Sequence, residues 1–188
     1  MVASITKSQL SLNEFLALPE TEPASEYIDG EIYQKSMPQL KHSRIQTNLA
    51  PAINQIGESQ KLACAFTELR CTFAERSIVP DIAVFEWSHI PIDANGELLS
   101  KVEIAPDWII EILSPDQSTT KVINKILFSI KHGTKLGWLI DSDDRSVMVF
   151  QPNQLPEIKY DAEILSVLDV LASWQISPAD IFAWLSFK

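Results

Sequence analysis

Two acidic residues lie inside predicted strands where apolar side chains are expected. Asp81 follows a Val-Pro pair at the start of one strand, and Glu111 interrupts the apolar run WIIEIL at residues 108–113. Ionised side chains are rarely buried unless a partner or a metal ion compensates their charge. If the two strands are neighbours, both carboxylates can converge on one hard cation such as Mg²⁺ or Mn²⁺, with phosphate and water as further ligands. In the alternative interpretation, Asp81 caps its strand and Glu111 pairs with an arginine.

A lysine that could assist the two acids lies in the next predicted helix. The apolar stripe of that helix consists of Val122, Ile123, Ile126, Leu127 and Ile130. At about 100° per residue, Lys125 lies roughly 130° from the centre of the stripe, beside Lys121. This angle is compatible with a catalytic lysine and also with an ordinary solvated side chain.

Hydrophobic periodicity predicts the elements that must position these residues. A hairpin is expected over 26–35, around the turn pair Asp29-Gly30. Helices are predicted over 11–18, 39–56 and 114–133 and from Ser177-Pro178 onwards, and strands over 62–74, 81–87, 108–113, 137–141 and 146–151. This order is typical of an α/β protein with a mixed β-sheet flanked by α-helices. We expect one domain over residues 1–188, with a flexible N-terminus at residues 1–10.

The charge balance limits how this protein can contact nucleic acid. The chain has 188 residues, with 15 Lys+Arg against 25 Asp+Glu, so its formal net charge is −10. A broad basic DNA-binding surface is therefore excluded, because that mode needs many phosphate contacts. An acidic enzyme that touches DNA locally, with metal ions offsetting phosphate charge, is compatible with this composition. A P-loop and a G-x-G-x-x-G dinucleotide motif are both absent.

The sequence predicts a cytoplasmic protein. The first 15 residues lack the basic and apolar regions of a signal peptide, and no run of 18 apolar residues could span a membrane. The two cysteines, Cys64 and Cys71, are too few for a zinc site. On one extended strand their Cα atoms would lie roughly 23 Å apart, whereas a disulfide tolerates about 7 Å. Both are expected to be buried or half-buried thiols.

The C-terminal segment is rich in aromatic side chains. These are Trp174, Phe182, Trp184 and Phe187. Side chains at so many helical positions cannot all enter one small core, so part of this cluster is a candidate homodimer contact.

An ordered set of short motifs identifies a family. The motifs are EYIDGEI at 26–32, His42, VPDIAV at 79–84, EILSP at 111–115, Lys125, Gly133 and WLID at 138–141. Together they resemble the Uma-type family of restriction-endonuclease-like proteins, within the PD-(D/E)XK nuclease superfamily. The resemblance covers roughly residues 10–188 and implies a restriction-endonuclease-like fold.

The resemblance also implies a site. Asp81 matches the acid of the PD element and Glu111 the acid of the (D/E)XK element, with the main-chain carbonyl of Ile112 as a further ligand of Mg²⁺ or Mn²⁺. The motif lysine should stand at position 113, but the residue there is Leu113. A lysine on the following helix is its substitute in this group, and Lys125 has that position. Glu31, in the DGE segment, is the expected third carboxylate.

Two further residues are substrate-binding candidates through the same resemblance. His42 matches a histidine at the start of the first long helix, where it either contacts phosphate or a catalytic carboxylate, or is hydrogen-bonded locally. Lys121 stands where the family usually has Asp, and with Lys125 it adds positive charge beside the site. Ser129 and Gly137 replace a usual Tyr and a usual bulky residue.

From this resemblance we expect the protein to be a Mg²⁺- or Mn²⁺-dependent endodeoxyribonuclease that makes local, metal-dependent contact with DNA. The alternative is a nuclease-fold protein that binds nucleic acid or a protein partner without cleavage.

Overall fold

The computed structural model describes residues 10–115 and 117–187. Its helices are α1 (Leu12–Leu16), α2 (Leu40–Gly57), α3 (Thr119–Lys131) and α4 (Pro178–Ala183). Its strands are β1 (Ser25–Ile28), β2 (Glu31–Gln34), β3 (Ala63–Thr67), β4 (Cys71–Phe73), β5 (Arg76–Ile78), β6 (Ile82–Glu86), β7 (Trp108–Ile112), β8 (Leu136–Asp141), β9 (Ser146–Phe150) and β10 (Glu157–Tyr160). Of the predicted flexible segment at 1–10, Leu10 is described and residues 1–9 lie outside the described residues. Asp116 also lies outside them.

Six of the strands form a mixed sheet in the order β10-β9-β8-β7-β6-β3. Strands β7 and β8 are parallel, and the other neighbours in this sheet are antiparallel. The predicted α/β class, a mixed sheet flanked by helices, is confirmed. The remaining strands form a smaller antiparallel sheet, β2-β1-β5-β4, that the sequence did not predict.

The smaller sheet was missed because its second hairpin has no recognisable turn sequence. The predicted strand 62–74 is divided between β3 of the large sheet and β4 of the small one. A two-residue turn, Ala74-Glu75, then leads into β5 with positive φ angles of 47° and 60°. Such turns favour Asn-Gly or Asp-Gly, as at Asp29-Gly30 in the predicted hairpin β1–β2. Ala-Glu gives no such signal.

The helix predicted over 114–133 begins five residues later than expected. Ser118 is its N-terminal flanking residue and α3 starts at Thr119. The Ser-Pro pair therefore belongs to the loop that leaves β7, and that start was wrong. The helix predicted over 39–56 is present as α2. Strand β10 was also missed, because its alternating residues EIKY span only four positions and the strand is largely exposed.

The large sheet is buried on both faces. One face packs on α2, α4 and the C-terminal segment, and the other packs on α3 and the small sheet. Alternation along β6 places Ile82 and Val84 on the first face and Ala83 and Phe85 on the second. Among the described residues, every helix is too short or too polar to span a lipid bilayer.

The C-terminal aromatic residues mostly complete the first face of the sheet. Phe182 is buried, and Trp174 and Trp184 pack against the same cluster while partly exposed. Phe187 is exposed, with the Arg44 guanidinium 5.2 Å from its ring centre. The homodimer stays a prediction.

Candidate active site

Asp81 and Glu111 lie opposite each other at one end of β6 and β7. The antiparallel register pairs Ile82 with Ile110, so the next pair along is Asp81 and Glu111. Residues paired across an antiparallel ladder project to the same face of the sheet. Both side chains therefore point to the face covered by α3, and both are almost completely buried, with 2% and 1% exposure. Asp81 Oδ2 accepts a hydrogen bond from the Ile112 N–H at 2.7 Å.

Lys125 reaches this pair of acids from α3. Its Nζ lies 2.9 Å from Glu111 Oε2 and 2.9 Å from Glu26 Oε1. The side chain is only 4% exposed, which excludes the solvated-lysine interpretation. Lys125 is buried although it lies away from the apolar stripe, because β1 and the acidic end of β7 approach that side of the helix.

Glu26 is an acidic residue of the site that the sequence analysis did not single out. It lies on β1, it is buried, and its Oε1 also accepts a hydrogen bond from the Val79 N–H at 2.8 Å. Val79 lies in the link between β5 and β6, where the chain passes from the small sheet to the large one. Glu26 therefore holds Lys125 beside the junction of the two sheets. The signal that could have found it is its place in the EYIDGEI motif, one strand before Glu31.

A second lysine, Lys35, pairs with Asp81. Lys35 directly follows β2, and its Nζ lies 2.8 Å from Asp81 Oδ1 and 2.6 Å from Glu68 Oε2. Gln46 of α2 donates to both the Asp81 carbonyl oxygen and Glu68 Oε1, at 2.8 and 2.9 Å. Lys35, Glu68 and Gln46 belong to none of the motifs, so only the tertiary structure brings them to the site.

Burial and the neighbouring charged groups shift the pKa values of Asp81, Glu111 and Lys125. Burial opposes ionisation of Asp81, but the Lys35 ammonium, together with smaller contributions from His42 and Lys125, outweighs burial and holds the pKa of Asp81 below its ordinary value. Burial raises the pKa of Glu111 to about 8, in spite of the neighbouring Lys125 charge. Burial by itself would lower the pKa of Lys125, but Glu111 and Glu26 reverse this and raise it.

Two buried polar atoms in this region have no hydrogen-bond partner among the described residues. They are Glu111 Oε1 and His42 Nε2. The other ring nitrogen of His42, Nδ1, lies 3.3 Å from Ser114 Oγ, while Nε2 lies 3.6 Å from Asp81 Oδ1. His42 thus combines both sequence interpretations, because it is hydrogen-bonded and also borders a candidate catalytic carboxylate. Unpaired buried oxygen and nitrogen atoms are ligand atoms that a cation could satisfy.

The composition of the site fits a divalent cation. Four carboxylates, those of Glu26, Glu68, Asp81 and Glu111, face the two ammonium groups of Lys35 and Lys125. If all are ionised, two negative charges are left uncompensated. In addition, His42, Glu68 and Asp81 each offer one ligand atom, and these atoms lie within 4.8 Å of one another. Oxygen-rich sets of this kind suit Mg²⁺ and Mn²⁺.

The structure does not bring Glu31 into this group. Within the described part of the chain, Glu31 is exposed and accepts a hydrogen bond from the Tyr33 hydroxyl. It shares a face of the hairpin with Glu26 but lies beside the turn, because Ile28 pairs with Glu31 whereas Glu26 pairs with Tyr33. Glu26 thus has the place for which the sequence suggested Glu31. Lys121 lies outside the acidic group as well, with its Nζ 4.4 Å from the Tyr33 ring centre.

An open cleft of about 710 Å³ runs between the β1–β2 hairpin and α3. Its lining includes five cationic side chains, those of Lys35, Arg76, Lys121, Lys125 and Lys131. Among the described residues, two acidic side chains line it, those of Glu26 and Asp29. In a chain of net charge −10, cations thus outnumber acids in this lining, although Arg76 pairs with Asp29, and Lys35 and Lys125 pair with acids of the site. Asp81 and Glu111 are not part of the lining, but Lys35 and Lys125 are, and they contact these two buried acids.

A second group of potential ligands lies at the other end of β6 and β7. It consists of Glu86, His89 and Asp107. Lys135 already provides a positive charge there, with its Nζ 2.7 Å from Glu86 Oε1 and 3.2 Å from Asp107 Oδ1. This arrangement is a compensated ion-pair group at the edge of the sheet.

Comparison with known proteins gives a family and a solved structure. Residues 12–179 match the model of the Uma2 family, described as "Putative restriction endonuclease". A crystal structure from Anabaena variabilis, described as a "putative nuclease belonging to DUF820", is 52% identical and superposes with a TM-score of 0.92. The match covers 94% of this chain and 99% of the Anabaena chain. No curated protein sequence matches. These similarities confirm the predicted restriction-endonuclease-like fold.

Proposed function

Because this chain belongs to the Uma2 family of restriction-endonuclease-like proteins, we propose that it is a nuclease that hydrolyses phosphodiester bonds of DNA with Mg²⁺ or Mn²⁺. The single observation that supports this best is the pairing of Asp81 with Glu111 on one face of the sheet, next to a buried lysine. Fully buried acids with an unpaired oxygen destabilise a fold, so their presence favours a functional role.

Asp81, Glu111 and the main-chain carbonyl of Ile112 would hold the metal ion, and Glu26 rather than the exposed Glu31 would complete the acidic set. A bound divalent cation polarises the scissile phosphate and lowers the pKa of a water ligand. Lys125 supplies fixed positive charge where negative charge grows on the phosphate during the reaction. Glu26 and Glu111 together hold the Lys125 ammonium in place, with both distances at 2.9 Å.

The cleft between the hairpin and α3 is the proposed path of the DNA backbone. Its cations lie on one side of the buried acids, whereas the remaining surface is acidic overall. Such a short basic track neutralises few phosphates, so binding should depend only weakly on salt concentration. Lys121 and Lys131 are exposed in this cleft and would contact phosphates.

Cleavage assays test the proposal. Supercoiled plasmid, linear duplex and a matched RNA are incubated with EDTA, Ca²⁺, Mg²⁺ or Mn²⁺. We expect cleavage of DNA only with Mg²⁺ or Mn²⁺, and at least a hundredfold loss of rate in Asp81→Asn, Glu111→Gln and Lys125→Met. Asp143→Asn is the control, because this exposed acid pairs with Lys41 on the surface. Full activity in Glu111→Gln would show that the site is misplaced.

One departure of the sequence from the (D/E)XK motif supports a second candidate function, which is binding of nucleic acid without cleavage. Leu113 stands where the motif lysine is expected, so activity depends on Lys125 as its replacement. Tight duplex binding that is independent of metal, with no cleavage under any condition, would favour this candidate.

A further inference from the structure

Lys35 has a place in the site that neither the motifs nor the proposed reaction explains. Its ammonium group lies between Asp81 and Glu68, at 2.8 and 2.6 Å. The side chain is 8% exposed, and its carboxylate partners are 3% and 42% exposed. The Lys35 ammonium group thus contacts the Asp81 carboxylate, which is also a proposed metal ligand.

We propose that Lys35 is the internal counterion of Asp81 in the metal-free protein and that it competes with a divalent cation for that carboxylate. This inference depends on the proposed metal site. The ammonium charge offsets part of the buried negative charge when no metal is bound. When a metal ion binds, the lysine leaves Asp81 and its charge moves toward the cleft.

Lys35, and not Lys125, has a path away from its acid. Lys125 is fixed by two buried carboxylates, those of Glu26 and Glu111. Both lysines line the cleft, but one of the two partners of Lys35, Glu68, is partly exposed. The Lys35 main-chain N–H donates to the Ala24 carbonyl oxygen at 2.9 Å, which holds the backbone in the hairpin. The movement therefore needs only rotation of the four-carbon side chain.

The proposal predicts the direction of change in metal affinity. If Lys35 competes with the metal ion, removing its charge increases the affinity of the site for Mn²⁺. If Lys35 instead helps to hold the metal-binding geometry, its removal weakens the binding. The two roles give opposite signs, so the measurement separates them.

The first experiment is a Mn²⁺ titration of the full chain by calorimetry and thermal shift. Lys35→Met is expected to bind Mn²⁺ at least tenfold more tightly than wild type and to show a larger metal-induced rise in Tm. Lys101→Met is the control, since this exposed lysine is not part of the cleft lining, and its affinity should equal that of wild type. If Lys35→Met fails to fold, Lys35→Gln keeps a hydrogen-bond donor and is used in the same titration.

The second experiment follows the lysine itself. Reductive methylation of wild type is compared with and without Ca²⁺ or Mn²⁺, and each lysine is quantified by mass spectrometry. We expect Lys35 to be protected in the metal-free protein and to become labelled at least fivefold faster with metal, whereas Lys121 labelling is unchanged.

The outcomes distinguish this inference from the proposed function. Wild type that binds Mn²⁺, together with equal or weaker binding by Lys35→Met, would overturn the counterion role and leave the metal site intact. Absence of Mn²⁺ binding by both wild type and Lys35→Met would overturn both. Binding by Lys35→Met alone would support both.

Discussion

The Asp81 carboxylate accepts a hydrogen bond from the main-chain N–H of Ile112, with 2.7 Å between Oδ2 and the nitrogen. This bond joins the residue that precedes β6 to the last residue of β7. A candidate metal ligand therefore also closes the gap between two central strands, and its other oxygen pairs with Lys35. The substitutions of Asp81 should separate these two roles.

Asp81→Asn should destabilise the metal-free protein less than Asp81→Ala. Asn keeps an oxygen that can accept from Ile112 and loses only the charge opposite Lys35, which should cost about 1–3 kcal/mol. Ala loses both contacts and leaves Lys35 with the exposed Glu68 alone, which should cost about 3–5 kcal/mol. Urea unfolding in EDTA measures both values. Equal stability of the two variants would show that the hydrogen bond to Ile112 contributes nothing.

Lys125→Met should be among the most destabilising single changes at the site. It leaves two buried carboxylates, those of Glu26 and Glu111, without their cation, so a loss of about 3–5 kcal/mol is expected. In the double variant Lys125→Met/Glu111→Gln one of those acids is also removed, and the total loss should be smaller than the sum of the single losses. Lys131→Met, on the exposed end of α3, is the control and should change stability by less than about 0.5 kcal/mol. Additive losses would mean that Lys125 and Glu111 do not interact.

Gly137→Ala should move α3 away from the sheet. A Cβ atom at Gly137 would lie 2.4 Å from Ile126 Cγ2, and Ile126 is completely buried. Overpacking of this kind costs about 1–3 kcal/mol. Because Lys125 is the neighbour of Ile126 on α3, the proposed nuclease activity should fall as well.

The Ile126→Ala background provides the test for this clash. It removes the methyl group that would collide, so the additional cost of Gly137→Ala should nearly vanish there. An unchanged cost in that background would place the clash elsewhere.

Both cysteines should react slowly with iodoacetamide in the native protein. Burial raises the pKa of Cys64 and of Cys71 to about 12, so the reactive thiolate is scarce at pH 8. The thiolate fraction should be about a thousandfold below that of a thiol at the ordinary value of 9, and the rate should rise roughly tenfold per pH unit. Denatured protein should react fast at both positions.

Cys64 has an additional test, since its thiol donates a hydrogen bond to Glu58 Oε1. Glu58→Gln should accelerate modification of Cys64 and leave Cys71 unchanged. Rapid native labelling of Cys64 at pH 8 in wild type would contradict the raised pKa.

The main elements of the large sheet could be predicted because their patterns are local. The apolar runs of β6 and β7 appear in the printed residues, and so do Asp81 beside the first run and Glu111 inside the second. Helix α2 was also predictable from its spacing of apolar residues. The turn Ala74-Glu75 was not, because a strained turn without glycine is stabilised by its surroundings.

The sequence by itself determined which acids and which helix lysine are candidates, since residue type and strand period depend only on neighbours along the chain. Only the tertiary structure decided which side chains compensate the charges of these residues. Glu26 and Lys35 reach the site through the small sheet. Glu26 accepts from Val79 and Lys35 donates to Asp81, and in both contacts the two residues are more than 40 positions apart along the chain. The burial of Lys125 likewise depends on β1 lying over α3. Charge compensation acts through space, so no pattern along the chain records which lysine meets which carboxylate.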